Sequence, residues 1–452
     1  MENKEFNYKK RNFYTSTDRA EAAYEYAKGY TAFLDKAKTE REAVKQAVGY
    51  AETAGYKPYT FGMKVKAGDK LYYNNRGKSI MLFRIGSEDI SNGIRIAAAH
   101  IDSPRVDLKQ CPLYENSGMA FLKTHYYGGI RKYQWVATPL ALHGVVVKED
   151  GETVDITIGE DPTDPVFYIN DLLPHLGQEQ GKKPLNEAIP GESLNLLSGS
   201  RPDADSSVRD NVMAILNEKY GITEEDFLSA ELCAVPAGCA RDVGLDRSMI
   251  AGYGHDDRCC SYPALTSLLD CEDDTHTLMC ILTDKEETGS DGVSGMQCRL
   301  FIDLIENIAL ALGGNPAQVR SASKCLSADV SAAYDPNFPE VFEKRNCSEL
   351  NCGAVLAKYT GARGKSGTSD ASAEFLGWVR RAMASKDVVW QSGELGKVDI
   401  GGGGTVAKYI ANYNIDTVDL GVPVISMHAP CEVIAKSDLY EAYRAFDAFF
   451  CF

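Results

Sequence analysis

Apolar residues at positions 43, 44, 47, 48 and 51 recur at helical spacing behind Thr39-x-x-Glu42. That opening is a capping box and predicts an amphipathic helix from about residue 40. Two apolar runs, 71–73 and 80–85, flank Asn74-Asn75-Arg76-Gly77 and read as a hairpin. A short run, apolar apart from Arg95, follows at 94–99, between Asn92-Gly93 and His100. A run of that kind predicts a strand buried on both faces. Beyond about residue 106 the pattern breaks into short alternating segments, such as 154–158 after Glu149-Asp150-Gly151, and then into a polar stretch from 177 to about 210. A structureless stretch of that length is unusual inside a compact domain. It predicts a mobile or partner-contacting loop in a β-rich insert. From residue 239 onward, strand-like runs at 277–283, 324–328 and 422–427 alternate with helical periodicity at 301–312 and 437–450. The last of these aligns Leu439, Tyr443, Phe446 and Phe450 on one face. Such alternation predicts an α/β protein built on an open sheet. The expected organisation is a discontinuous α/β domain of residues 1–105 and 237–452, interrupted by the insert 106–236.

The 452 residues are 44% hydrophobic and 25% charged, enough for a sizeable core. Lys plus Arg minus Asp plus Glu is 48 − 64 = −16. That balance excludes a nucleic-acid binder that tracks phosphates, and adsorption to anionic membranes. No apolar run approaches the ~18 residues of a membrane span. The opening residues lack the apolar segment of a secretory signal, so the expectation is cytoplasmic. Thirteen cysteines, an odd number with no C-x-x-C pair, exclude a zinc ribbon and a thioredoxin-like site. They are expected to be free thiols in a reducing compartment.

The predicted strands end in chemistry. His100 closes the 94–99 run, with Asp102 two residues on. Glu286 and Glu287 follow 277–283, Asp329 follows 324–328, and His428 follows 422–427. Asp256 and Asp257 stand in the turn GHDDR before a helical stretch at 262–269. Taken singly, each reads as the polar end of a strand or a solvated turn. Together they match a metal site, because open α/β sheets bind their ligands beyond the carboxyl ends of the strands. Two divalent cations among His100, Asp256, Glu287, Asp329 and His428 would face three carboxylates, leaving +1, which one bridging hydroxide cancels. Two ions ~3.5–4 Å apart, bridged by a carboxylate and a water, form a hydrolytic arrangement. Glu286 is then a candidate general base. Asp102 is placed to hold the unligated ring nitrogen of His100. Other motifs are weaker. GARGKS at 361–366 has Tyr359 where a phosphate loop needs glycine. The glycines at 401–404 read equally as an anion-binding turn or as a close-packed one. There is no H-E-x-x-H.

With these residues in view, the chain resembles the aspartyl aminopeptidase / aminopeptidase I family of dinuclear zinc exopeptidases, in its bacterial-type branch. The resemblance runs through AAHIDSPR (98–105), HYYGGI (125–130), GHDDR (254–258), DKEETGS (284–290), SADVSAAYDPN (327–337), GGGGT (401–405) and DLGVPVISMHAP (419–430). It implies an open mixed-sheet peptidase domain with an inserted dimerisation domain, assembled as a homo-oligomer, a dimer-based dodecamer. It implies two divalent ions per subunit, zinc with cobalt or manganese as alternatives. His100 and His428 each hold one ion, Glu287 and Asp329 complete the set, and Glu286 is the base. The bridge is Asp256, with Asp257 the alternative. His175 resembles a histidine lent to a neighbouring active site. The implied substrates are peptides cut at the N-terminus. Arg131–Thr138 and Ala332 depart from the aspartyl branch, so aspartyl preference does not carry over. Lys358, Arg363 and Lys365 fall near where that branch places a cation for an acidic side chain. A related carboxypeptidase or deacylase with the same ligands, and a catalytically silent peptide-binding or assembly protein, remain as rival readings.

Overall fold

The computed structural model describes residues 6–203 and 205–452. The first five residues, and position 204 of the polar stretch, lie outside the described residues. A nine-stranded mixed sheet organises the chain. Its order is Lys57–Pro58, Lys70–Asn75, Ser79–Arg84, Thr277–Thr283, Ile94–His100, Lys324–Ala328, Asp416–Gly421, Ala354–Ala357 and Trp390–Ser392. The four strands from Thr277–Thr283 to Asp416–Gly421 are mutually parallel, so their carboxyl ends share one edge of the sheet. The Ile94–His100 strand shows why its sequence before His100 is apolar at every position but Arg95. Ala97 and Ala99 pack on one face with the helices Ala20–Lys36, Glu40–Thr53, His255–Asp270 and Lys436–Cys451. Ile94, Ile96 and Ala98 pack on the other with Leu300–Ala311 and Pro316–Ala322. A strand covered on both faces leaves little room for polar side chains, and Arg95, near its start, is only half-buried, its guanidinium donating to the Phe449 and Phe450 carbonyls. The capping box is formed, Thr39 accepting from the Glu42 amide and the Glu42 carboxylate accepting from the Thr39 amide. The 71–85 hairpin pairs in the expected register.

A seven-stranded sheet is built wholly from residues 105–236, in the order Ala230–Pro236, Arg105–Asn116, Met119–Tyr127, Leu196–Gly199, Phe167–Ile169, Pro139–Val147 and Thr153–Ile158. The helix Val208–Tyr220 lies beside it, capped by Ser207 and ended by Gly221 in the left-handed conformation. A small five-stranded sheet carries Arg241–Val243, Met249–Gly252, Glu432–Ala435, Pro423–Ile425 and Ser331–Ala332.

Three expectations need correction. Apart from position 204, the polar stretch 177–210 is not structureless: it carries short helical turns and the strand Leu196–Gly199, because Leu194 and Leu196 are fully buried between polar neighbours. The 422–427 run is not the central strand. Asp416–Gly421 takes that place, and only Pro423–Ile425 is extended beyond it, in the small sheet. The helix expected at 262–269 begins at His255 and runs to Asp270, with non-helical backbone at Asp256 and Asp257. All thirteen cysteines are free. Among the described residues, no helix is long and apolar enough to cross a membrane.

Candidate metal centre

His100 is the last residue of its strand, and Asp329 directly follows Lys324–Ala328. Glu286 and Glu287 open the helical turn just beyond Thr277–Thr283. Asp256 is the second residue of the His255–Asp270 helix, and His428 follows Pro423–Ile425. The parallel edge and the small sheet thus bring these side chains together from five separate segments. The Asp256 carboxylate spans the group. Its Oδ1 lies 3.1 Å from His100 Nε2 and its Oδ2 3.2 Å from His428 Nε2. Asp329 Oδ1 is 3.8 Å from His100 Nε2, and Glu287 Oε1 is 3.7 Å from His428 Nε2. Ligand atoms of His100, Glu286 and Asp329 also lie within 4.8 Å of one another.

The second ring nitrogen of each histidine is fixed. His100 Nδ1 donates to the Asp102 carbonyl at 3.1 Å and lies 3.3 Å from Asp102 Oδ1. His428 Nδ1 donates to the Gly129 carbonyl at 3.0 Å. Both Nε2 atoms are thereby left facing the carboxylates, the tautomer a metal ligand needs. Asp102, fully buried, also accepts from the amides of Glu286 (3.1 Å) and Glu287 (3.2 Å) and from the Tyr127 hydroxyl (2.7 Å). Three residues of HYYGGI, Tyr127, Gly128 and Gly129, brace this group. Tyr127 supports Asp102. A Cβ on Gly128 would press on Glu287, and one on Gly129 would press on His428 Nδ1. In GHDDR, Gly254 has φ +79°, and a Cβ there would meet the buried Arg258 guanidinium, which donates to the Lys38 and Ile101 carbonyls.

The residues fit metal ions. Asp256 Oδ1 and Glu287 Oε1 are buried without a hydrogen-bond partner, and buried polar atoms are otherwise nearly always paired. The electrostatics agree. Burial raises the carboxyl of Glu286 to about 8, helped by the Asp329 charge, and burial likewise raises Glu287 and Asp329. Burial opposes the protonation of His428, but Asp256 and Glu287 override it and raise the imidazole to about 10. His100 is raised in the same way by Asp102, Asp256 and Asp329. So many acids cannot all ionise together without added cations, and protons on the imidazoles stand where cations fit.

Other expected residues lie elsewhere. His175 stands in an exposed turn at 174–176, outside this group. Lys358 and Lys365 both pair with Asp370, Lys365 at 2.8 Å. The glycines at 401–404 form a close-packed turn. A Cβ on Gly402 would meet the Gly361 carbonyl, and Gly361 donates to the Gly403 carbonyl. That turn lines a cleft of about 260 Å³ shared with Asp256, Glu286, Glu287, Asp329 and His428. Nothing in the spacing singles out Glu432, which accepts from the amides of both Asp256 and His428.

Comparison with known proteins identifies the family. A family model described as aminopeptidase I zinc metalloprotease (M18) matches residues 33–450. A probable M18 family aminopeptidase 1 of Clostridium acetobutylicum is 50% identical over 429 residues, 92% of each chain. The crystal structure of an M18 family aminopeptidase from Thermotoga maritima superposes with TM-score 0.94 at 42% identity, covering 98% of this chain and 99% of that one. The S. cerevisiae mApe1 dodecamer, at 19% identity and TM-score 0.78 over 96% and 97% of the two chains, shares the fold. Donor-rich strand ends, a paired-histidine centre and a match over nearly the whole length converge on one assignment: the chain belongs to the aminopeptidase I (M18) family of zinc metalloproteases, hydrolases that act at peptide N-termini.

Proposed function

We propose that this aminopeptidase holds two divalent ions per chain in the cleft at the strand ends. His100, Asp256 and Asp329 would hold one, and Asp256, Glu287 and His428 would hold the other. The observation that carries this reading is the Asp256 carboxylate, each of whose oxygens faces a different imidazole. Asp257 is the weaker bridge, since its Oδ2 accepts from the His100 amide at 3.4 Å. When bound, such ions polarise a carbonyl and lower the pKa of an attacking water. The Glu286 carboxylate would take a proton from the attacking water and deliver it to the leaving amine nitrogen. Asp102 fixes the backbone of Glu286 and the ring of His100 while this happens. The acidic lining attracts the free α-ammonium of the peptide.

A carboxypeptidase needs a cation for the substrate's terminal carboxylate. Among the described residues, no Lys or Arg lines this cleft. The same observation argues against a preference for acidic side chains. Val355, Ala357, Tyr359, Leu395 and Met427 offer apolar surface, and Asp419 adds a further carboxyl. Neutral N-terminal residues are therefore accepted, and a hundredfold preference in kcat/KM for Asp- or Glu-initiated substrates contradicts this. A silent binding protein would not need the retained ligands and base.

Residues 106–236 serve as a dimerisation domain that lends His175 to a neighbouring site, in a homo-oligomer assembled as a dimer-based dodecamer. Exposed Leu172, Leu173 and Leu176 flank His175 in sequence, and the S. cerevisiae relative is a dodecamer. A closed assembly of this kind would admit peptides and exclude folded proteins, which suits a cytoplasmic enzyme. The two-ion reading is tested by zinc analysis of Asp256→Asn. Loss of both ions is expected, and full occupancy with full activity transfers the bridge to Asp257.

A further inference from the structure

Glu432 opens the strand Glu432–Ala435 and is 1% exposed. Its Oε2 accepts from the Asp256 amide at 3.0 Å, and its Oε1 accepts from the His428 amide at 2.7 Å. One buried side chain therefore ties together the main chain of two residues whose carboxylate and imidazole face each other. Sheet register puts it there. Glu432 pairs with Gly252, just before Gly254 and the start of the His255–Asp270 helix, while Val433 pairs with Ile425, just before the His428 turn. The turn needs an outside tether. His428 has φ +65° and Ser426 φ +60°, left-handed values that side-chain-bearing residues avoid unless held. Asp102 is the counterpart on the other side of the centre, accepting from the amides of Glu286 and Glu287.

We propose that Glu432 is a positioning residue that sets the separation of Asp256 and His428, and so determines whether the ion between them is retained. This rests on the two-ion reading above. Glu432 makes no contact with the reacting atoms in this account and acts through the backbone of two ligands. A carboxyl group suits the task because each of its two oxygens can accept one backbone N–H. Glutamine keeps the length but turns an amide N–H₂ against one of the two backbone donors. Aspartate keeps the charge but is one methylene short of reaching both.

The structure supplies a control of the same chemistry away from the centre. Asp438, fully buried, accepts from the amides of Asn351 (2.8 Å) and Gly353 (2.7 Å). A purely structural role predicts equal behaviour for Glu432→Gln and Asp438→Asn. The test compares zinc per chain after dialysis and zinc affinity by chelator competition, alongside Tm of the metal-free proteins. In the wild type two ions are expected. Glu432→Gln should fall to about one, with affinity for the second lowered ~10–100-fold. Asp438→Asn should keep two despite a comparable loss in Tm. Glu432→Asp should lose affinity on the same side, which serves if the glutamine variant does not fold. Wild-type affinity for both ions in either Glu432 variant, or equal zinc loss from Asp438→Asn, overturns the proposal and leaves the two-ion reading standing. If the wild type itself holds a single ion, the two-ion reading fails. Glu432 is then judged on that ion's affinity, a tenfold loss supporting its positioning role and an unchanged value overturning it.

Discussion

Replacing Asp102 by asparagine changes one oxygen to an amide nitrogen and leaves the volume almost unchanged. In the native protein both carboxylate oxygens accept. Oδ1 receives the Glu286 amide, with His100 Nδ1 3.3 Å away, and Oδ2 receives the Glu287 amide and the Tyr127 hydroxyl. If the new nitrogen takes the Oδ1 side, it faces the Glu286 N–H and the protonated Nδ1 of His100. Relief then requires His100 to move its proton to Nε2, which removes a metal ligand. If the nitrogen takes the Oδ2 side, the Tyr127 hydroxyl can rotate and accept, but the Glu287 N–H loses its acceptor. The second arrangement is the cheaper one, and a single orphaned buried donor costs about 1–3 kcal/mol. At about 1.4 kcal/mol per tenfold, that is a loss of roughly 5- to 150-fold. Glu287 is a proposed ligand and its neighbour Glu286 the proposed base, so the loss should appear in zinc affinity and in kcat/KM. Chelator competition and initial rates on an aminoacyl-anilide measure the two. Tyr127→Phe removes one donor and leaves the carboxylate intact, so its effect should be several-fold smaller. Zinc affinity and kcat/KM both within twofold of wild type for Asp102→Asn would refute this reasoning.

Glu286→Gln should keep its zinc and lose at least ~10²-fold in kcat, whereas Glu287→Gln should lose zinc first; the reverse pattern in metal analysis and rates means the roles are exchanged. His143 is buried between Glu42 (2.8 Å) and Glu160 (2.9 Å). Burial opposes its protonation, but these carboxylates raise it to about 9, against ~6.5 for a free imidazole. Its contribution to stability is thus complete below about pH 6.5 and fades as pH rises through 9, by roughly 3 kcal/mol in all. Urea unfolding at pH 6 and pH 9.5 should show that fall in wild type and little of it in His143→Gln, and an equal fall in both would exclude His143 as its source. His175→Ala and Glu286→Gln, each nearly inactive alone, should regain partial activity as mixed oligomers; no rescue after verified subunit exchange excludes a shared site.

The strand Ile94–His100 was readable because burial on both faces favours a run that is apolar but for the half-buried Arg95, and His100 because it ends that run. Asp256, Glu287, Asp329 and His428 were readable for a related reason, since each lies within a few residues of the end or start of a regular segment. Asp416–Gly421 was hidden by its own acids, as Asp419 is buried in the cleft rather than set at a polar end. The strand Leu196–Gly199 was hidden because two buried leucines are too few to make a period. Glu432 was beyond reach for a different reason. Its partners are backbone amides in two distant segments, and amides carry no mark in a sequence.

The carbonyl that holds His428 Nδ1 belongs to Gly129, two residues past the strand Met119–Tyr127, and the hydroxyl on Asp102 belongs to Tyr127 itself. Both groups come from the stretch that builds the seven-stranded sheet. A chain trimmed of residues 106–236 would keep every proposed ligand and Glu286, yet its His428 ring would be free to spin and Asp102 would lose a donor. These residues are therefore more than an accessory to the proposed ligands: a displacement of this sheet should free the His428 ring and register as a change in zinc affinity.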